Sequence, residues 1–416
     1  MASAPSPSNR IALLAAADLF GTPLYVYFEN VIRERCRDLV LALDGLPARV
    51  LYALTANANP TVLSTIHDEG FGFDAVSPGE VALLRHLGID LSTVLYSATS
   101  LPDGEMDEMH AAGTVMNLDD LERLERFGRQ HPGSRVCLRF NPGIGHGHHR
   151  HVVTGGKEAK FGLAIEDAPE ARRIADRHSL RVIGIHQHVG SGVMDPELLW
   201  PAAERLIDVA VDFPELEFVD LGGGFGIPYR PDDVALDLKH LRSLTELALD
   251  LLNKAGHSDV EIWYEPGRYL VAQAGVLLAG VHTIKAAGGG GEAKTFIGTD
   301  PGFNQLIRPT LYGSYHALHN ISNPEGEMHL YDVVGNICES GDLFAREQHV
   351  QEVRRGDVLA ICDAGAYGMA MASNYNLRPM PAEAIVRESG EVELIRRRLT
   401  HEEVADLILN AAVSVA

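Results

Sequence analysis

Short apolar runs recur through the first two thirds of the chain, spaced so that a helix fits between each pair. They fall at residues 50–55, 72–77, 94–98, 114–117, 135–141, 182–189, 217–221 and 261–264. Helical periods such as 78–85 and 119–129 lie between them, and alternation of this kind predicts parallel strands joined by helices. Eight such units predict an α/β fold, a (β/α)₈ TIM barrel over residues 25–268, with its chemistry at the carboxyl ends of the strands. Beyond Arg268 the texture changes to β-rich runs at 276–284, 295–297, 328–334, 358–362 and 384–387, separated by glycine-rich turns. That pattern predicts a C-terminal β-barrel or sandwich domain over 269–416, with residues 1–24 as a tail and a strand or helix joining it. Residues 288–291, four glycines with no helix after them, are expected to form a flexible hairpin tip rather than a phosphate loop.

Composition narrows the class. A chain of 416 residues, 46% hydrophobic and 22% charged, can bury one large core and a smaller one. Its net charge of −22 argues against a nucleic-acid partner, which would need clustered Lys and Arg to displace counterions. No apolar run approaches membrane-spanning length, and the first residues lack a signal-peptide pattern, so no membrane partner is expected. Cys36, Cys137, Cys338 and Cys362 are scattered, which points to reduced thiols and a cytoplasmic location.

Several segments carry candidate chemistry. Asp220-Leu221-Gly222-Gly223-Gly224-Phe225-Gly226 follows the seventh strand, where consecutive glycines let backbone N–H groups approach an anion; a tight structural turn is the alternative. Glu265-Pro266-Gly267-Arg268 closes the eighth strand with a carboxylate that could bond a protonated ring nitrogen, or with a solvent-facing ion pair. In His186-Gln187-His188-Val189-Gly190-Ser191, alternation sets both histidines on one side of the sixth strand. They could join His146, His148, His149 and His151 around a metal, but no carboxylate or cysteine completes the set, and an imidazole stacked on a flat ring suits the site better. Cys338 could act as a general acid or simply fill a core, and Arg308, Tyr312 and Tyr367 could clamp a carboxylate or only shape turns.

Taken in this order, with Tyr52-Ala53-Leu54-Thr55-Ala56-Asn57 on the first strand, these segments resemble the fold-type-III, alanine-racemase-like pyridoxal-phosphate decarboxylases, diaminopimelate decarboxylase and its close relatives. The likeness runs from about residue 21 to 383. It implies pyridoxal 5′-phosphate as cofactor, bound by the barrel, with Asp74 near the Schiff-base lysine and His188 stacked on the ring. Ser191, Gly223, Gly224, Gly267 and Tyr367 would surround the cofactor, and Glu265 would pair with its ring nitrogen. Arg268, Arg308, Tyr312, Glu339 and Tyr367 would hold an amino-acid substrate. Cys338 would come from the second subunit of a head-to-tail homodimer as proton donor. The segment 149–162, with Thr154-Gly155 and Lys160-Phe161-Gly162, favours the diaminopimelate branch, and the implied reaction is meso-diaminopimelate to L-lysine plus CO₂.

Two departures stand out. Gln305 and Gly313-Ser314 replace residues that the resemblance leads one to expect, Asp and Asp-Ala, so another carboxylate-bearing amino acid is an alternative substrate. Thr55 occupies the position of the Schiff-base lysine, and a hydroxyl cannot form an imine. Of the six lysines, at 157, 160, 239, 254, 285 and 294, only Lys160 follows a barrel strand closely enough to substitute. A deliberate Lys-to-Thr replacement, a catalytically dead regulatory homologue and an enzyme with altered chemistry all fit that change.

Overall fold

A computed structural model describes residues 5–145, 147, 154–156, 159–287 and 294–411. The four histidines of the considered metal cluster and the 288–291 glycines lie outside the described residues. The chain divides into two compact units, one of residues 33–227 and 234–270, the other of residues 1–32, 228–233 and 271–416.

The first unit is a closed barrel of eight parallel strands: Ala48–Ala53, Gly72–Ala75, Leu95–Tyr96, Val115–Leu118, Arg135–Asn141, Arg181–His186, Phe218–Asp220 and Glu261–Tyr264, the last pairing back onto the first. Each falls within or beside one of the predicted runs. Local signals fix the crossovers. Ser77 caps the helix Pro78–His86 by accepting the Glu80 N–H, and Glu80 accepts the Val76 N–H in return. Asp120 caps Leu121–Gln130 in the same way through the Arg123 N–H. The barrel is packed, not hollow: Leu51, Leu95, Cys137, Ile183, Phe218 and Trp263 form one buried cluster. Within it the Phe218 and Trp263 rings stack at 3.6 Å, and Gly184 leaves the space that Phe218 fills.

The second unit is built on a nine-stranded mixed sheet, and the sheet character expected after residue 269 is observed. Its main path runs Leu343–Gln351, Met328–Val334, Lys294–Thr299, Gly275–Ala287, Leu24–Phe28, Ala382–Val386, Val392–Arg396, with Val358–Ile361 branching from Gly275–Ala287 and Leu318–Asn320 pairing onto Val358–Ile361. The N-terminal strand Leu24–Phe28 is central and buried along its whole length, antiparallel to Gly275–Ala287 and parallel to Ala382–Val386. Its tyrosines stay wetted by protein groups: Tyr27 donates to Glu383 at 2.7 Å and Tyr25 to the Gln305 carbonyl at 2.6 Å. Arg396 closes the other Glu383 oxygen at 2.9 Å. Among the described residues no helix is long and apolar enough to cross a membrane.

Candidate active site

The carboxyl ends of the barrel strands carry the first unit's polar cluster. The first strand stops at Ala53, and the next residues form a single 3₁₀ turn, Leu54–Ala56, so Thr55 sits half-buried on a turn rather than on the strand predicted for it. Ala53 is in register with Asp74 of the second strand, which is 6% exposed. The turn packs on Gly267, where any side chain would meet the Ala53 and Ala56 methyl groups.

Glu265, 6% exposed, ends the eighth strand, and the expected alternative of a solvent-facing pair with Arg268 is not what forms. Its Oε2 receives the His186 Nε2 at 3.0 Å. Burial drives His186 down to about 3 and Glu265 up to about 7, so a neutral imidazole donates to the carboxyl group rather than forming an ion pair with it. Burial also pushes Asp74 and Asp220 well above the carboxylate range, Glu265 adding to both. Arg139, 8% exposed, is the cation within reach of Glu265, Asp74 and Asp220. With Asp119, four carboxyl groups act on this guanidinium. Glu265 Oε1, Asp74 Oδ1, Asp220 Oδ2 and His186 Nδ1 are buried without a hydrogen-bond partner, and an environment of that kind accommodates a protonated nitrogen heterocycle. His186, Asp220 and Glu265 also lie within 4.8 Å of one another, but their contact is accounted for by the His186–Glu265 bond and the Gly222 N–H bond to Asp220 at 2.7 Å.

The titration has a testable sign. The folded pKa of Glu265 is raised, so the stability it contributes is full below the ordinary carboxyl pKa and is lost as pH rises through about 7. His186 opposes it from below: its stabilisation is lost as pH falls under the ordinary histidine pKa towards about 3. Glu265→Gln removes only the first effect. Thermal unfolding of the cofactor-free chain at pH 5 and pH 8 is expected to show the variant gaining on the parent as pH rises; parallel melting curves would contradict this.

The two histidines predicted to share one face of the sixth strand do not. The strand ends at His186, and His188 lies in the loop beyond, where its Nδ1 accepts the Gly223 N–H at 3.2 Å. That bond leaves the proton of the neutral ring on Nε2. The loops after strands six and seven are zipped together by Gly192 and Val193 N–H bonds to the Gly224 carbonyl, both 2.9 Å. Gly223 and Gly224 are required there: a Cβ on the first would collide with the Glu265 carbonyl, and on the second, at φ +94°, with that of Gly190. Arg268, 4% exposed, is fixed by its Nε and Nη2 on Ser191 Oγ at 3.3 and 3.0 Å. Asp74, His188, Ser191, Gly223, Gly224, Glu265, Gly267 and Arg268 thus gather at the strand ends. Lys160 is exposed, its ammonium 5.1 Å above the Phe161 ring in a cleft lined by Asp103, Asp119, Asp120 and Glu122.

Sequence reasoning passed over Arg139 and Asp220 and gave His186 no settled role. Asp220 opens the glycine run, and Arg139 interrupts an apolar strand at an inward position; both signals were legible as polar residues in a buried run.

The second unit holds the remaining predicted residues. Arg308, 1% exposed, begins the short helix Arg308–Tyr312 and is engaged inside its own unit: Nη1 meets His316 Nε2 at 3.0 Å, Nη2 meets Ser314 Oγ at 3.4 Å, and the guanidinium lies 4.9 Å over the Tyr229 ring. Tyr312 is half-buried at the end of that helix. Cys338 and Glu339 are exposed, with Asn376 donating to the thiol sulfur at 3.3 Å and Tyr375 to Glu339 at 2.5 Å. Tyr367 adopts φ +55°, a strained conformation for a tyrosine, in a segment whose Gly365 N–H bonds the Ala272 carbonyl at 3.0 Å. Gln305 is 3% exposed and donates to the Pro379 carbonyl at 2.8 Å, a structural position.

Comparison with known proteins agrees with this geometry. Residues 29–272 match the family model described as "Pyridoxal-dependent decarboxylase, pyridoxal binding domain". The chain is 43% identical over 398 residues to the diaminopimelate decarboxylase of Methanothermobacter thermautotrophicus, covering 93% of this chain and 92% of that one. It is 34% identical to that of Aquifex aeolicus, covering 95% and 94%. The crystal structure of diaminopimelate decarboxylase from Helicobacter pylori complexed with L-lysine superposes with a TM-score of 0.88 at 30% identity, over 96% of this chain and all of that one. From these shared features, the chain belongs to the diaminopimelate decarboxylase family of pyridoxal-dependent decarboxylases.

Proposed function

We propose that the chain binds pyridoxal phosphate and an amino acid of the meso-diaminopimelate type at the barrel's strand ends, and that Thr55 withholds the covalent attachment on which efficient lysine formation depends. The observation that carries the reading is the buried set Asp74, Arg139, His186, Asp220 and Glu265, with its unpartnered oxygens, beside a residue that has no amine. When bound, the cofactor supplies an electron sink for the pair left behind by a departing carboxylate. The protein's own residues do the rest. Glu265, backed by the neutral His186, would hold a proton on a ring nitrogen. Asp220 would keep the surroundings acidic, and Arg139 would balance the cluster's charge. His188 would offer the face of a neutral imidazole to the ring, while Gly223, Gly224 and Ser191 would receive the phosphate, with Arg268 steering Ser191. Thr55 would not attack as an amine does, since a hydroxyl is a weak nucleophile and cannot form an imine.

Arg308, Tyr312, Glu339 and Tyr367 we assign to the substrate. Cys338 we assign to proton donation in a second copy of the chain, a role its exposure suits. We assign the working form to a homodimer in the cytoplasm, and sedimentation as a monomer at micromolar concentration would overturn the dimer. The central reading is tested by absorbance and mass. Cofactor should bind saturably to the unmodified chain, and borohydride should leave no cofactor mass on any protein residue. A strong adduct, at Lys160 or elsewhere, would refute it.

A further inference from the structure

Two loops of the second unit meet side chain to side chain. One, residues 336–342, carries Cys338 and Glu339, and the other is residues 374–378. Three contacts cross between them in reversed order: Arg378 Nη2 on the Asn336 carbonyl at 3.0 Å, Asn376 Nδ2 on Cys338 Sγ at 3.3 Å and the Tyr375 hydroxyl on Glu339 Oε1 at 2.5 Å. In each, the second loop donates to the first. Both loops hang from the same stretch, residues 303–305. The buried Asp342 carboxylate accepts the Phe303 and Ile337 N–H groups, each at 2.6 Å, and closes the first loop. Asn304 Nδ2 donates to the Ser373 carbonyl at 2.9 Å, the Asn304 carbonyl accepts the Ser373 N–H at 2.8 Å, and Gln305 holds the Pro379 carbonyl, which fixes both ends of the second.

The second loop is strained where it meets the thiol. Asn376 and Leu377 take φ of +57° and +54°, two successive residues in the left-handed region that favours glycine. Asparagine tolerates that region; leucine does so far less readily, and the Leu377 side chain, 55% exposed, offsets little of the cost by burial. The turn brings the Asn376 amide onto the sulfur. An N–H directed at sulfur occupies one of its lone pairs and so turns the S–H away from this loop. The same N–H faces the place where negative charge appears once the proton has left.

We propose that Asn376 is a positioning residue for proton donation: it orients the Cys338 thiol and stabilises the sulfur anion left behind. This role rests on the function assigned to Cys338 above. In that step the S–H bond breaks with its electron pair left on sulfur, and the pair that the departing carboxylate left on the substrate carbon forms the new C–H bond. Tyr375, the preceding residue, touches Glu339 instead and so bears on substrate affinity rather than on the proton.

Two measurements test the role. Cys36, Cys137 and Cys362 are buried and Cys338 is exposed, so iodoacetamide reports selectively on Cys338 in the unmodified chain, read by peptide mass. Asn376→Asp keeps the shape and tolerates the left-handed backbone but replaces the donor with a carboxylate, and alkylation at neutral pH should slow about tenfold. In the Thr55→Lys form, Asn376→Asp and Asn376→Gly should each lower kcat for meso-diaminopimelate about tenfold with KM unchanged. Both should also raise the solvent deuterium isotope effect on kcat, as proton delivery becomes the slow step. Tyr375→Phe should instead raise KM and leave kcat and the isotope effect as they were. Glycine removes the left-handed strain, so a fall in kcat without a fall in melting temperature separates positioning from folding. Unaltered alkylation in Asn376→Asp would overturn the proposal, as would a Cys338-dependent Thr55→Lys form whose kcat and isotope effect ignore both Asn376 variants. A Thr55→Lys form without turnover, or one indifferent to Cys338→Ala, would overturn it too, but by removing the function assigned above rather than the contact.

Discussion

Thr55→Lys is expected to raise meso-diaminopimelate decarboxylation by at least about 100-fold, the scale on which a single positioned catalytic group acts. The expectation rests on an otherwise complete setting. The 3₁₀ turn that carries residue 55 follows the first strand, in register beside Asp74, and packs on Gly267. A lysine there would extend from a turn that follows Ala53, the register partner of the buried Asp74. The same variant should acquire a borohydride-fixed cofactor mass on residue 55, visible by peptide mapping, which the parent lacks. The two readouts separate two failures. Covalent attachment without turnover would mean that the substrate residues of the second unit are not those we assign. Neither attachment nor turnover, in a folded variant that still binds cofactor, would place the reactive aldehyde away from residue 55 and remove the basis of the functional reading.

Gly223→Ala should weaken cofactor binding by about 100-fold or more, the cost of displacing a positioned site by around an ångström. A methyl group on Gly223 would run into the Glu265 carbonyl oxygen and its carbonyl carbon, backbone atoms that cannot rotate away. Relief requires the glycine loop and the eighth strand's end to separate. That movement breaks the Gly223 N–H bond to His188 and shifts Glu265 relative to the ring face His188 would offer. Overpacking of this kind costs about 1–3 kcal/mol in stability, so the variant should still fold, and equilibrium dialysis against pyridoxal phosphate can be read alongside a melting curve. Gly45→Ala is a fitting control, since nothing lies within 4 Å of its added methyl group, although its φ of +77° carries a modest strain of its own. Unchanged cofactor affinity in folded Gly223→Ala would show that this loop does not receive the phosphate.

The local pattern of the chain determined a good deal by itself. Eight apolar runs with capped helices between them specify a parallel barrel, because a strand buried on both faces must be apolar and a parallel crossover needs a helix. Glu265, Arg268, Ser191 and the glycine run were legible because they sit where strands end, and strand ends are visible as the point at which an apolar run breaks. The expectation that Thr55 stands in the place of an amine came from the residues around it, Tyr52-Ala53-Leu54 and Ala56-Asn57, which keep the pattern of the resemblance. What the chain could not disclose alone is whatever depends on partners distant in sequence. His186 and His188 alternate in the sequence, yet a strand that stops at His186 sends one to Glu265 and the other to the Gly223 N–H. Leu24–Phe28 is a five-residue apolar run like many others until Gly275–Ala287 and Ala382–Val386 flank it and make it the centre of a sheet. Arg308 reads as a carboxylate clamp, and only the fold shows which groups position its guanidinium: His316, Ser314 and the Tyr229 ring. The raised carboxyl groups of Asp74, Asp220 and Glu265 have the same origin: each is an ordinary acid in the chain, and only burial together in a dry strand-end site, where charge is costly, raises them, with Arg139 pulling Asp74 and Glu265 the other way.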